Sequence, residues 1–380
     1  MAAKKKVLIA GAGIGGLTLG HALLQRGFEV EIFERAPALL PLGAGITIQS
    51  NAVLALRTLG LDPAIAARSA RIDRAEIVSP TGAILSRLPL DAVAARLGAP
   101  MLAIHRGVLQ QLLAAGLEPH LRLGSEAHGI REEAGGVALR FADGSEARGD
   151  LLVGADGLHS AIRRHVAGEE APRYAGYTAW RGVARMDTEP GRSTEAWGAG
   201  ERFGVVPIGE GLVYWFGVAD APAGVHRSPT GEKEELLRRF GSWHEPCGRL
   251  IEATPAEVIL RTDIFDRTPI AKWSRGCVTL LGDAAHPMTP NLGQGGCQAI
   301  EDAVVLAGCL AGARDLAEGL AAYEARRVAR ANRFVAESRR LGQVAQWRHP
   351  IARIARTALL RATPAAQMER RLRATLAFEP

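Results

Sequence analysis

The chain is 380 residues long, enough for two domains with real cores or one large composite domain. Hydrophobic residues at 47% and charged residues at 23% fit a soluble globular protein. The formal net charge of +6 admits nucleic acid as a partner, but no recognition motif or interleaved aromatic and basic stripe accompanies it; an anionic cofactor and anionic small substrates explain the excess as well.

The four cysteines, Cys247, Cys277, Cys297 and Cys309, show no CxxC spacing and no histidines in a zinc pattern. They read as reduced, packed thiols, and no metal site is expected. At the start, lysines precede an apolar run as in a signal peptide, but glycines interrupt that run after Val7 to Ala10. No stretch of 18 apolar residues runs uninterrupted, so no transmembrane span is expected and the cytoplasm is the default location.

Val7 to Ala10 has the pattern of a buried strand and runs into Gly11-Ala12-Gly13-Ile14-Gly15-Gly16. Leu17 to Arg26 then reads as a helix closed by Gly27, and Glu29 to Phe33 as a second strand ending in Glu34-Arg35. This is a full dinucleotide-binding unit: strand, GxGxxG, helix, strand, acid. Gly11 allows the tight turn, Gly13 lets backbone approach a pyrophosphate, and Gly16 lets the helix pack on the strand. Glu34 falls where an acid binds both ribose hydroxyls of an adenosine.

Gly43-Ala44-Gly45 leads into the strand-like Ile46 to Ile48, and Asn51 is expected to cap a helix ending near Gly60. Short strands are expected from Asp73 to Leu90 around a Pro80-Thr81-Gly82 turn. Arg106 begins a helix carrying Leu109, Leu112 and Leu113; a phosphate or ribityl contact and a solvated arginine both remain open for it. Val137 to Phe141 and Ala147 to Val153 suggest a hairpin around Asp143-Gly144. Its second strand ends in Gly154-Ala155-Asp156-Gly157, followed by Ser160 and Arg163, the kind of strand tip where α/β sheets bind ligands.

From Tyr174 to Val218 the aromatic residues concentrate in short runs separated by turns, which indicates an inserted antiparallel sheet. A helix from Lys233 to Phe240 and a strand near Val258 to Thr262 follow. The apolar run Cys277 to Leu281 then stops at Gly282-Asp283, two prolines (Pro287 and Pro290) follow, and Gly293-Gln294-Gly295-Gly296 enters a helix. Such a turn aims free N–H groups at a ligand and favours an anion or electron-rich heterocycle; an ordinary strand-loop-helix connection is the alternative. Beyond Leu316 the chain is helical and arginine-rich, with breaks at Pro350 and Pro364. Arg353, Arg356, Arg361, Arg370, Arg371 and Arg373 alternate with apolar residues there, and helices packed on the body with arginines in water are expected over a membrane-surface segment.

Together, GAGIGG with Glu34, DLLVGADGLHSAIRR and LLGDAAHPMTPNLGQGGCQAIEDA resemble the single-component FAD-dependent aromatic hydroxylases, which include para-hydroxybenzoate, salicylate and urate hydroxylases. The resemblance covers the chain to about residue 340, and the third motif is the specific one. It implies an α/β fold: a Rossmann-like, three-layer FAD domain with an inserted, mostly antiparallel substrate sheet and C-terminal helices. The expected division is 1–72, 101–172 and 275–345 for the FAD domain, 73–100 and 173–274 for the substrate domain, and 346–380 for the last helices. By the same likeness Gly11, Gly13 and Gly16 pass under the pyrophosphate, Glu34 holds the adenosine ribose and Arg106 reaches the ribityl-phosphate side. Asp156 and Gly157 lie near flavin and nicotinamide, with Arg163 bracing their turn. Asp283 binds ribityl hydroxyls, and Gly293, Gln294, Gly295 and Gly296 lie against the isoalloxazine. Gly15, Arg35, Gly45 and Pro290 complete the implied cofactor set. Ser50 stands where the family often has proline, a departure that bears on the local loop.

The implied reaction takes NADH or NADPH as a transient donor, adds O2 to reduced FAD, and delivers one oxygen atom from a flavin C4a-hydroperoxide to a small aromatic or heteroaromatic substrate. A second GxGxxG for nicotinamide is absent, as in the family. A flavin-dependent dehydrogenase, oxidase or epoxidase, and a non-catalytic FAD-binding protein, are the alternatives; the expected partners are otherwise small molecules, with a monomer or homodimer. For the substrate, Arg202 to Ile208 and Leu212 to Val218 read as a hairpin joined by the three-residue loop Gly209-Glu210-Gly211, with Ile208 facing Leu212 and Val206 facing Tyr214. Arg202, Val206, Tyr214 and Phe216 then share one face, and Arg202 and Tyr214 are the candidate catalytic residues, matching an arginine and a tyrosine of the urate hydroxylases. A solvated arginine and a core tyrosine are the alternative.

Overall fold

A computed structural model describes residues 4–40, 44–133, 135–225, 228 and 230–379; Gly43 of the sequence reading lies outside them. Its centre is a six-stranded sheet ordered 274–275, 278–280, 151–154, 6–10, 29–33 and 121–122, parallel except at the first pair. Val7, Leu8, Ile9 and Ala10 are all buried, as a strand covered on both faces requires. Helices Ile14–Leu24 and Gly295–Gly312 pack together on one side. On the other, a three-stranded antiparallel sheet (Ala127–Glu133, Gly136–Phe141, Glu146–Gly149) joins the same core, with the Phe33 and Phe141 rings 4.7 Å apart. These are the three expected layers.

The expected strand Ala147 to Val153 is in fact two. Asp150 interrupts it: its carboxylate accepts from the Lys6 backbone N–H at 2.7 Å, so Glu146–Gly149 stays in the small sheet and Leu151–Gly154 enters the central one. Asn51 is likewise not a cap. Gln49 holds that position before helix Ser50–Arg57, and the buried Asn51 amide turns inward.

The second sheet has seven strands, ordered 260–266, 173–185, 212–220, 201–209, 192–197, 74–78 and 84–89. All neighbours are antiparallel except 192–197 with 74–78. One face carries Trp180, Phe203 and Trp215 into a core closed by helices Glu232–Phe240 and Cys247–Ala253. The other face carries Arg202, Val206, Tyr214 and Phe216, as expected, but by a different hairpin. The loop is the two residues Glu210 and Gly211, both left-handed at φ 56° and 72°, and Gly209 faces Leu212. An irregularity between Pro207 and Gly209 takes up the extra residue, so Val206 still faces Tyr214. Helix Leu316–Ala345 runs along helix Gly295–Gly312, and Pro350–Ala362 and Ala365–Leu376 finish the chain.

Candidate functional site

The first loop is shaped by close backbone approach. Gly11 adopts φ 110°, and a Cβ there would lie 2.3 Å from the Ala155 carbonyl oxygen. A Cβ on Gly16 would lie 2.0 Å from the Gly11 carbonyl oxygen. Gly13 meets nothing within 4 Å, so it forms the open side of the loop. Gly15 points elsewhere: a Cβ would sit 2.4 Å from Leu281 Cδ2, so this glycine seats the helix on the third motif. The Glu34 carboxylate closes the loop by accepting from the N–H groups of Ala12 and Ala36 at 2.9 and 3.0 Å. Arg35 is exposed beside it. Gln110, which no sequence motif marks, donates to the Ala12 carbonyl at 2.8 Å.

Ser160 is the N-cap of helix Ala161–Ala167, and Asp156 Oδ2 also accepts from the Ala161 and Ile162 N–H groups at 2.8 and 3.3 Å. Its other oxygen is buried and has no protein partner among the described residues. Burial pushes this carboxyl above its ordinary range against the hydrogen bonds that hold it down. Gly157 follows with φ 79°. Arg163, almost wholly buried, donates to the carbonyls of Ala284 and Ala285 at 3.1 and 2.7 Å. Ala155 abuts Gly11, and Arg163 grips the segment after Asp283, so the three motifs meet.

Asp283 is open to solvent yet deep in the cleft; the surrounding protein pushes its carboxyl up, while His286 and Arg106 oppose that shift. Arg106 is itself exposed at the start of helix Arg106–Ala114, its N–H bonded to the Ala44 carbonyl. Pro290 opens the short turn Pro290–Leu292, Gly293 takes a left-handed φ of 63°, and Gly295 begins the helix with its Cβ direction 3.9 Å from Asp283 Oδ1. The start of that helix therefore lies beside Asp283.

Beneath this turn lies a buried polar network whose extent no sequence pattern announced. His286 Nε2 and Asp302 Oδ2 are 2.6 Å apart, and Asp302 accepts from Arg327 Nε at 2.7 Å. Arg327 and Arg330 both bind Glu301, which also accepts from Asn51 at 2.6 Å. Gln294 joins through Asn51, Gln49 and Gln298. Desolvation alone would raise the Asp302 carboxyl, but His286 and Arg327 outweigh it and hold it at about 2. The acids belong to the IEDA end of the third motif; Arg327, on a separate helix, had no such marker.

The seven-stranded sheet faces this cradle across the cleft. Tyr214 packs on Gly45, where a Cβ would lie 2.5 Å from the ring. Burial pushes the Tyr214 phenol up, with Arg181 opposing. Arg202 is buried rather than solvated and donates to Gln346, Glu195 and Asn291 at 2.9, 3.0 and 2.9 Å. Its guanidinium also lies 5.6 Å from the Tyr177 ring centre. Asn291 belongs to the turn before Gly293, so both candidate residues of the sheet touch segments next to the glycine-rich cradle.

The open face at Gly13, the orphaned Asp156 oxygen and the glycine-opened helix end beside Asp283 fit a dinucleotide carrying a flavin. The chain belongs to the FAD binding domain family, whose model matches residues 4–338. It is 53% identical over 377 residues to an aurachin C monooxygenase/isomerase of Stigmatella aurantiaca, covering 98% of each chain. It is 35% identical over 341 residues to a FAD-dependent urate hydroxylase of Klebsiella pneumoniae, covering 88% of this chain and 89% of that one. A solved structure of Klebsiella pneumoniae HpxO with FAD and uric acid superposes with a TM-score of 0.92 at 31% identity, over 98% and 96% of the two chains. This protein is a FAD-dependent flavoprotein monooxygenase.

Proposed function

We propose that the enzyme hydroxylates a small aromatic or heteroaromatic compound, using O2 and a transiently bound NADH or NADPH. The observation that carries this reading is the sheet face of Arg202 and Tyr214 set against Gly45 and the turn leading to Gly293. Bound FAD supplies the electron and oxygen-transfer chemistry. The chain supplies the rest. Gly13 admits the pyrophosphate, Glu34 and Asp283 accept from ribose and ribityl hydroxyls, and Arg106 neutralises phosphate. The helix end at Gly295 would favour negative charge on a flavin ring held in this space.

Three of the five Arg202 N–H groups are committed to protein, which leaves two for an oxygen of the substrate. Tyr214, kept protonated by burial, remains a hydrogen-bond donor. Val206, Phe216 and Val218 on the same face keep that space dry. The four unpaired cysteines support a reducing compartment, the cytoplasm, and a monomer or homodimer suits the assembly. The pairing of 74–78 and 84–89 with the later strands supports the proposed division into FAD and substrate parts.

Aurachin C, the compound in the name of the 53% relative, is the first candidate to offer, and urate the second. The holoenzyme is incubated with each, with NADH or NADPH, under isotopically labelled O2. Substrate-stimulated nicotinamide oxidation with label in the organic product is expected. Oxidation without labelled product from any aromatic compound would overturn the reading.

A further inference from the structure

Helix Pro350–Ala362 is mounted inside out. Ile351, Ile354, Ala355, Ala358, Leu359 and Ala362 recur at spacings of three and four and form one stripe, yet all six are exposed. The three large side chains are 71, 70 and 68% exposed. Arginine occupies the inner side instead: Arg356 is buried, donates to the carbonyls of Ala345 and Gly198 at 2.6 and 3.0 Å, and lies over the Trp197 ring. The sequence expectation of arginines in water therefore fails for Arg356 and holds for Arg361. Just before it, Trp347 is also 39% exposed.

The charge around the stripe says what covers it. Between Glu337 and Glu369 the chain has no acidic residue and six arginines; Arg356 is buried and Arg339 pairs with Asp266, which leaves Arg340, Arg348, Arg353 and Arg361 around the stripe. Arg361 flanks the stripe and Arg348 precedes the helix, both exposed. Of the nearby carboxylates, Asp220 lies 3.9 Å from Arg348 and Glu369 lies 3.9 Å from Arg96, so each already faces a cation. A second copy laid on this stripe about a twofold axis would bring like-charged arginines together, which disfavours self-pairing. An anionic lipid surface satisfies both features: acyl chains take the apolar stripe, and headgroup phosphates and carboxylates take the arginines. The helix is about 20 Å long, too short to cross a bilayer, and no helix among the described residues is long and apolar enough to do so.

We propose that this helix docks the enzyme on an anionic membrane surface, lying in the interface with Ile351, Ile354 and Leu359 inserted. The cavity of about 410 Å³ lined by Tyr177, Thr289, Gln346 and Trp347 lies at the chain segment leading into the docking helix, so the bound enzyme holds its substrate sheet close to the lipid.

The test is flotation of the FAD-loaded enzyme with phosphatidylcholine vesicles made with and without phosphatidylserine. Binding to the phosphatidylserine vesicles, weakened by salt, is expected. The triple variant Ile351→Ser, Ile354→Ser, Leu359→Ser should lose more than about tenfold in vesicle affinity, and Arg361→Glu should lose several-fold. None of these residues belongs to the proposed site, so flavin content, circular dichroism and turnover of a water-soluble substrate should be unchanged and show that the variants fold. Equal binding to both vesicles would overturn the anionic assignment. Absence of vesicle binding would overturn the proposal, whether the wild type sediments as a monomer or as a dimer that the triple variant dissolves; the latter would assign the stripe to a second copy.

Discussion

Across the cleft, the cradle wall at Gly11–Gly16 and Gly293–Gly296 presents backbone, while the facing sheet presents the side chains of Arg202, Tyr214, Val206 and Phe216. Backbone cannot be swapped by point mutation, but it must be supported. Here the support is a layer of buried side chains, His286, Asp302, Arg327, Glu301 and Asn51, directly under the glycine turn. The facing sheet is supported differently: Tyr214 rests on Gly45, and the buried Arg202 is held by Gln346, Glu195 and Asn291. Damage to the cradle should therefore spread into folding and FAD binding together, whereas damage to the sheet face should stay with the substrate.

The strongest break is Arg327→Met. It leaves Glu301 and Asp302 buried without their shared cation and should cost about 3–5 kcal/mol of stability in urea unfolding. The wild type has a matching pH signature. The Asp302 carboxyl is depressed from 3.8 to about 2, so the stability it contributes is present above about pH 4 and is lost as pH falls toward about 2. In the variant this acid limb should move to higher pH. An unchanged midpoint and acid limb would show that the network does not carry the cradle.

Within the cradle, two glycines should separate support from contact. A Cβ on Gly16 collides with the Gly11 carbonyl, so Gly16→Ala should lower the apoprotein melting temperature and destroy flavin binding together, at a cost of about 1–3 kcal/mol or more. Gly13→Ala meets only open space; the apoprotein should melt as wild type while FAD affinity falls by about tenfold or more. Equal melting losses in the two would refute the division of roles.

The contrast also explains what was legible. A backbone requirement is written locally as glycine at fixed spacing, so the close approaches at Gly11 and Gly16 and the left-handed turn at Gly293 are legible in the sequence. Asn51 is different: its partners Gln294 and Glu301 lie 243 and 250 residues away, and local sequence offers a capping role instead. The sequence pattern gives the face of Arg202 and Tyr214 with a loop one residue too long, and the irregularity before Gly209 offsets that residue. The last helix shows a further limit: periodicity reveals an apolar stripe at Ile351 and Ile354 but not which side of the helix meets the protein.

Asp283→Ala gives a smaller effect confined to the cofactor. Loss of charge-assisted hydrogen bonds of about 1.5–3 kcal/mol each should lower FAD affinity by about one to two decades in a fluorescence titration. The residue is solvent-accessible, and its removal relieves repulsion with Asp302, so the fold should hold. A melting loss without a flavin loss would reassign Asp283 to the turn.

Tyr214→Phe should give the smallest change and the cleanest reading of the sheet face. The ring keeps its seat on Gly45 and its contact with Phe216, so neither the closure of the cleft nor FAD affinity should move. Only the hydroxyl is lost, and with it the donor that burial keeps protonated. One neutral hydrogen bond is worth about 0.5–1.5 kcal/mol, which corresponds to a rise of roughly two- to tenfold in substrate KM. A poorly held substrate also accepts oxygen less often, so peroxide released per nicotinamide oxidised should rise with KM. A structural hydroxyl would act differently, lowering the melting temperature and leaving both KM and coupling at wild-type values. That outcome would remove Tyr214 from the substrate site and leave it as the contact through which the sheet rests on Gly45.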